Sequence, residues 1–181
     1  MCRWCRRLSP GCVVADFNQA FSQMMANEGG FRLTDIAGDP GGKTYAGIAR
    51  RRNPQWTGWA FVDRGETPPT DLVRGFYRVE FWERVAGDQI TNQGIAESLF
   101  DFAVNSGVKT ALKLAQIVAG VAPDGVIGQK TLAALNGLSI DSFRSHYALA
   151  KIARYAQIVT RDRSQGKFLL GWINRTLREA I

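Results

Sequence analysis

Residues 92–106 carry Ile95, Leu99, Phe100, Phe102, Ala103 and Val104 within one short stretch. At about 100° per residue these side chains point to many sides of a single helix. A helix that is apolar nearly all round must be enclosed by other elements. The architecture is therefore expected to be mainly α and built around this segment, with Gly107 ending it. Other stretches supply the enclosing helices. Residues 16–27 place Phe17, Phe21 and Met24 at three- and four-residue steps, in line with Val14, and Gly29-Gly30 stops them. Thr70-Asp71 reads as the cap of a helix running to about Arg84, with Leu72, Phe76, Val79 and Glu83 on one side. Residues 109–119, 128–135 and 139–160, and a last segment with Phe168, Leu169, Trp172, Ile173 and Leu177, complete the set. Residues 44–52 read as a short helix, 31–42 as a loop with a small β-hairpin after the first helix, and 53–69 as an irregular insertion.

The chain has 181 residues, enough for one domain or for a main lobe with a small appended one. Its net charge of +7 favours polyanionic partners. Nucleic acid, the anionic bacterial envelope and a merely solvated basic surface all fit that balance. Arg50-Arg51-Arg52 and Arg3, Arg6 and Arg7 are its densest clusters. No helix-turn-helix core, zinc finger or RNA-binding aromatic motif supports a nucleic-acid partner. No apolar run approaches the roughly 20 residues of a membrane helix, so stable membrane insertion is not expected.

Cys2, Cys5 and Cys12 all lie near the start. The Cys2-x-x-Cys5 spacing lacks the second pair and the histidines that a zinc site needs. His146 is the only histidine, which leaves little for Ser–His, Cys–His or zinc chemistry. Neither a metal nor an organic cofactor is expected. No signal-peptide core follows the first residues, so synthesis in the cytoplasm without export by the general secretory route is expected.

Glu28 is the residue that points to chemistry. It continues the stripe of Phe17, Phe21 and Met24, so its carboxyl is expected on the core side of the first helix. Burial and the electronegative helix C-terminus both disfavour the charged form. A carboxylic acid kept protonated in this way can protonate a glycosidic oxygen. The competing reading is a salt bridge to a buried arginine, Arg84 or Arg154. Ten residues on, Asp39-Pro40-Gly41-Gly42-Lys43-Thr44-Tyr45-Ala46-Gly47-Ile48 packs an acid, tight turns and a hydroxyl together. Glycosidases flank the scissile bond with two carboxylates. Asp39 is the natural second one, Asp35 competes with it, and Thr44 can orient a water. Asp39 also fits a turn-capping role before Pro-Gly.

Glu28-Gly29-Gly30-Phe31 followed by Asp39-Pro40-Gly41-Gly42-x-Thr44-x-x-Gly47-Ile48 resembles the signature of glycoside hydrolase family 108, the bacterial and phage N-acetylmuramidases. Phe76-Tyr77 and Phe81-Trp82 are similar to the aromatic stretch before that family's central helix. Phe100-Asp101-Phe102-Ala103-Val104-Asn105-Ser106-Gly107 and Asp124-Gly125-Val126-Ile127-Gly128-x-x-Thr131-Leu132 resemble the peptidoglycan-binding region that follows the catalytic part. The resemblance runs from about Phe17 to Trp172. It implies a lysozyme-like helical fold and hydrolysis of the β-1,4 bond between N-acetylmuramic acid and N-acetylglucosamine. It also implies Glu28 as the catalytic glutamate, with Asp39 and Thr44 in the order acid, base, threonine.

The expected organisation is a flexible segment 1–12, a catalytic portion 13–106 and a C-terminal helical portion 107–181 packed into the same body. Tyr45, Trp56, Trp59, Tyr77 and Trp82 offer rings for sugars or for a core, and Trp82 is read as core. Asp101 and Asn105 share one face of the central helix, either lining a cleft for glycan or bonding to each other inside. The expected partner is the peptidoglycan glycan strand, acted on by a monomer in the periplasm or wall. Release by a holin and delivery by a secretion system both stay open. A lytic transglycosylase working on one glutamate and a non-catalytic peptidoglycan-binding module are the alternatives.

Overall fold

A computed structural model describes residues 14–27, 30–34 and 42–180. The expected terminal segment 1–12, Cys2, Cys5 and Cys12, and Glu28, Asp35 and Asp39 lie outside the described residues. The fold is mainly α and lysozyme-like, with one small antiparallel sheet. The chain divides into two compact units, Asp16–Arg84 and Val85 onward, the latter joined by Val14 and Ala15.

In the first unit, α1 (Phe17–Asn27) opens where the Asp16 carboxylate accepts from the Asn18 N–H at 2.7 Å. Phe17, Phe21 and Met24 are buried on one face, as their spacing predicts. Three strands follow: β1 (Leu33–Thr34), β2 (Thr44–Tyr45) and β3 (Ile48–Ala49), paired in that order. The helix expected over residues 44–52 is thus a hairpin. Its two-residue turn, Ala46-Gly47, has positive φ at both positions (48° and 80°), the geometry of a tight primed turn. Gly47 makes that turn cheap, and the turn outweighs a short helical pattern.

The insertion 53–69 contains α2 (Trp59–Asp63). Next, α3 (Thr70–Tyr77) starts after Pro69 with no side-chain cap, where Thr70-Asp71 was expected to supply one. Asp71 instead pairs with Arg74 at 3.3 Å. A π-helical turn, Arg78–Trp82, continues α3. The buried series runs Val73, Tyr77, Trp82 instead of Leu72, Phe76, Val79: the buried face lies one residue on from the expected one already in α3, and the extra residue of the π turn sets the five-residue step to Trp82. Val79 is 55% exposed and Glu83 is exposed.

In the second unit, α4 (Gln93–Ser106) is capped by Asn92, whose carbonyl oxygen accepts from the Ile95 N–H at 3.2 Å. Ile95, Ala96, Leu99, Phe100, Phe102 and Ala103 are all buried, as the near-continuous apolar pattern requires. Gly107, at φ 84°, ends α4 and starts α5 (Val108–Val118). Then come α6 (Gln129–Asn136), α7 (Ile140–Arg161) and α8 (Gly166–Ala180). The buried Tyr147 of α7 meets Phe102 and Phe143 and donates to the Ala111 carbonyl at 3.0 Å, joining α4, α5 and α7. No described helix is long and apolar enough to cross a membrane.

Candidate active site

Of the residues expected at the catalytic site, Thr44 and Tyr45 lie among the described ones, together on the β2–β3 hairpin. β1 pairs Thr34 with Thr44 and Leu33 with Tyr45, so the strand after α1 holds β2 in register. Gly30, at φ 80°, donates to the Met25 carbonyl at 3.0 Å and closes the end of α1. The Arg32 carbonyl accepts from the Ala46 N–H at 2.9 Å. In sequence, Glu28 stands between the last residue of α1 and this tied glycine.

Thr44 is half-buried, and its hydroxyl donates to the Gly42 carbonyl at 3.3 Å. Gly42 has φ 66°, a conformation that favours glycine. Tyr45 is buried and stacks on Trp56 with ring centroids 6.0 Å apart. Its hydroxyl is buried and has no hydrogen-bond partner among the described residues. Burial raises the Tyr45 pKa, so this orphan stays protonated and remains a donor.

Behind the hairpin the aromatic side chains form a continuous wall. Phe21 meets Tyr77 at 6.0 Å, Tyr77 meets Phe76 at 5.4 Å, Phe76 meets Trp56 at 6.4 Å, and Trp56 meets Trp59 edge-on at 5.2 Å. Trp59, Tyr77 and Trp82 are buried core residues, and Trp56 is half-buried. A side chain on Gly58 would strike the Trp56 ring at 2.2 Å, so this glycine is explained by space and not by backbone angle. Arg50, from the triple-arginine run, forms a two-pronged ion pair with Asp63 and lies 5.3 Å over Trp59. The Arg50 guanidinium holds the Asp63 carboxyl below its ordinary value.

Asp101 and Asn105 sit on α4, in the second unit. Asn105 is exposed, and its amide donates to the Asp101 carbonyl at 2.8 Å and to its carboxylate at 3.3 Å. The buried Asp101 carboxylate also accepts from Arg175, 3.1 Å from each oxygen. The two residues are therefore hydrogen-bonded to each other, one buried and one exposed, and an arginine from α8 that spacing gave no hint of joins them. Of the arginines considered as partners for Glu28, Arg84 is exposed and pairs with Glu80, and Arg154 makes no ion pair among the described residues. His146 is exposed, with its Nδ1 2.7 Å from the Ser142 carbonyl.

Sequence reasoning missed Gln116. It is 1% exposed, its amide nitrogen reaches Asp124 at 2.7 Å and the Val126 carbonyl at 3.0 Å, and its oxygen accepts from the Gly125 N–H at 2.8 Å. Asp124 also caps the Val126 N–H at 2.8 Å. The Asp124-Gly125 motif is thus a structural turn held by one buried amide. Among the described residues no group of three or more His, Cys, Asp or Glu side chains could hold a metal.

The family model described as glycosyl hydrolase 108 matches residues 21–107, and that described as predicted peptidoglycan domain matches residues 110–177. Among solved structures, SagA of Brucella abortus superposes with a TM-score of 0.69 at 30% identity, covering 91% of this chain and 91% of that one. No curated protein sequence matches the chain.

Proposed function

Since this chain belongs to the glycosyl hydrolase 108 family and is a peptidoglycan hydrolase, we propose that it is an N-acetylmuramidase cutting the β-1,4 bond between N-acetylmuramic acid and N-acetylglucosamine. In this reading Glu28 donates the proton to the leaving sugar oxygen. Asp39 takes the second carboxylate role, and as a general base acting through water it would stand about 6.5–9.5 Å from Glu28 and invert the product. Thr44 orients the attacking water. Tyr45, next to Thr44 on the same strand, keeps the substrate-binding role that the sequence suggests for it.

The observation that carries the reading is the buried stripe of α1. Phe17, Phe21 and Met24 form it, and Glu28 is the next residue of that series in the sequence. A carboxyl continuing an apolar stripe is protonated more readily than one in water. The half-buried Thr44 on the hairpin that follows α1 supports the reading too. The protein is proposed to act as a monomer on the wall, reached through release by a holin or delivery by a secretion system.

The test is turbidity clearing of purified sacculi by Glu28→Gln and Asp39→Asn beside the wild type. Glu28→Gln is expected to lose at least about a hundredfold in rate, the scale of one general acid, while still sedimenting with sacculi. Clearing by Glu28→Gln at the wild-type rate would end the proposal.

A further inference from the structure

The second unit contains two adjoining hollows that the glycan chemistry does not use. One, of about 400 Å³, lies among α4, α7 and α8, where Tyr155 and Trp172 line it with rings 5.2 Å apart. The other, of about 430 Å³, is lined by Leu114, Ile117 and Pro123 with Lys109 and Lys113. Thr110 and Arg154 line both, so Arg154 stands where they join. Each has the size of a small-ligand pocket.

The uncommitted charge of these hollows is positive. Glu179, the one acid on either lining, is already paired with Lys151 and Arg175. Asp124, held by Gln116 and the Val126 N–H, keeps its negative charge and offsets part of that of Lys113. Arg154, Lys109 and Lys113 make no ion pair among the described residues. Arg154 and Lys109 thus leave the apolar-walled groove with a positive charge that attracts an entering anion. Uncharged sugar rings bring no charge to match it. The anionic part of peptidoglycan is its peptide, whose carboxylates match an arginine fork.

We propose that this groove binds the peptide stem of peptidoglycan, with a stem carboxylate on Arg154 and the neighbouring side chains in the two hollows. The site lies within residues 102–179, largely inside the region matched as a peptidoglycan domain, and rests on the peptidoglycan reading above. The aromatic hollow takes one flank of an extended peptide, and the aliphatic, lysine-edged hollow takes the other. The peptide thereby anchors the enzyme to strands that still carry stems.

The experiment is calorimetric titration of the full-length protein with free stem peptide, released from its sugar and so lacking any glycosidic bond. The wild type should bind it. Arg154→Gln should weaken binding at least about tenfold, the scale of one charge-assisted hydrogen bond. The same peptide with its carboxylates amidated should lose as much on the unaltered protein, an arm that needs no variant to fold. No binding by the wild type, or undiminished affinity in either arm, overturns the proposal. Because this ligand has no bond for Glu28 to cleave, such a failure leaves the muramidase reading standing. A failure of sacculus cleavage would in turn leave this titration interpretable.

Discussion

The Tyr77 hydroxyl donates a 2.8 Å hydrogen bond to the carbonyl of Ala46, 31 residues earlier, and so ties the tip of the β2–β3 hairpin to the end of α3. The same oxygen fills the space of a missing side chain, since a Cβ on Gly47 would lie 2.5 Å from it. Removing the hydroxyl with Tyr77→Phe keeps the aromatic wall but leaves the Ala46 carbonyl without this donor, at a cost of about 1–3 kcal/mol. Gly47→Ala is expected to cost about the same from overpacking alone, with left-handed strain added. The double variant should cost less than the sum, because the collision disappears with the hydroxyl. Urea denaturation of the four proteins checks this, and strict additivity would show that the two residues do not share the space.

A second prediction concerns the buried ion cluster of the C-terminal unit. Lys151 is 3% exposed, pairs with Glu179, and lies 4.9 Å over Phe102 and 4.8 Å over Tyr147. Glu179→Gln would strand that ammonium and is expected to destabilise by about 3–5 kcal/mol. Lys151→Met exchanges the cation for an apolar chain among rings, and Arg175 remains 3.4 Å from Glu179, so it should cost clearly less. Chemical denaturation ranks the two variants, and equal losses would contradict this account.

The acid limb of stability follows from Asp63. Its folded-state pKa is lowered, first by the hydrogen bond from Arg50, so folding binds fewer protons there than the unfolded chain does. The stability it contributes is present above the ordinary aspartate range and is lost as pH falls through its lowered value. Asp63→Asn should therefore melt closer to the wild type at strongly acid pH than near neutrality. Added salt should narrow the neutral-pH gap, because the pair is exposed. A gap independent of pH would show that the pair contributes nothing through ionisation.

The sequence announces its helices because each buries one face at a helical period, and α4 announces its centrality by lacking a polar face. What it hides is any feature decided by a distant partner or by one inserted residue. Val79 belongs to a regular apolar series on paper, yet the face that is buried is that of Val73 and Tyr77, and the π-helical turn adds Trp82 to it. Residues 44–52 read as helix until Ala46 and Gly47 both take positive φ. Gln116 looks like an ordinary polar helix residue, although a loop has folded over it. Arg175 reaches Asp101 across 74 residues, a pairing no local period encodes. The proposed catalytic pair, Glu28 and Asp39, rests on motif and order alone. The hairpin carries Thr44 and, next to it, an unpartnered Tyr45 hydroxyl that the pattern does not foretell.

The most direct measurement is mass spectrometry of the ends released from purified sacculi by the wild type and by Glu28→Gln. The account predicts reducing N-acetylmuramic acid ends from the wild type and none above background from a folded Glu28→Gln protein. Anhydro-muramic ends from the wild type, or reducing ends from Glu28→Gln at an undiminished rate, would contradict it.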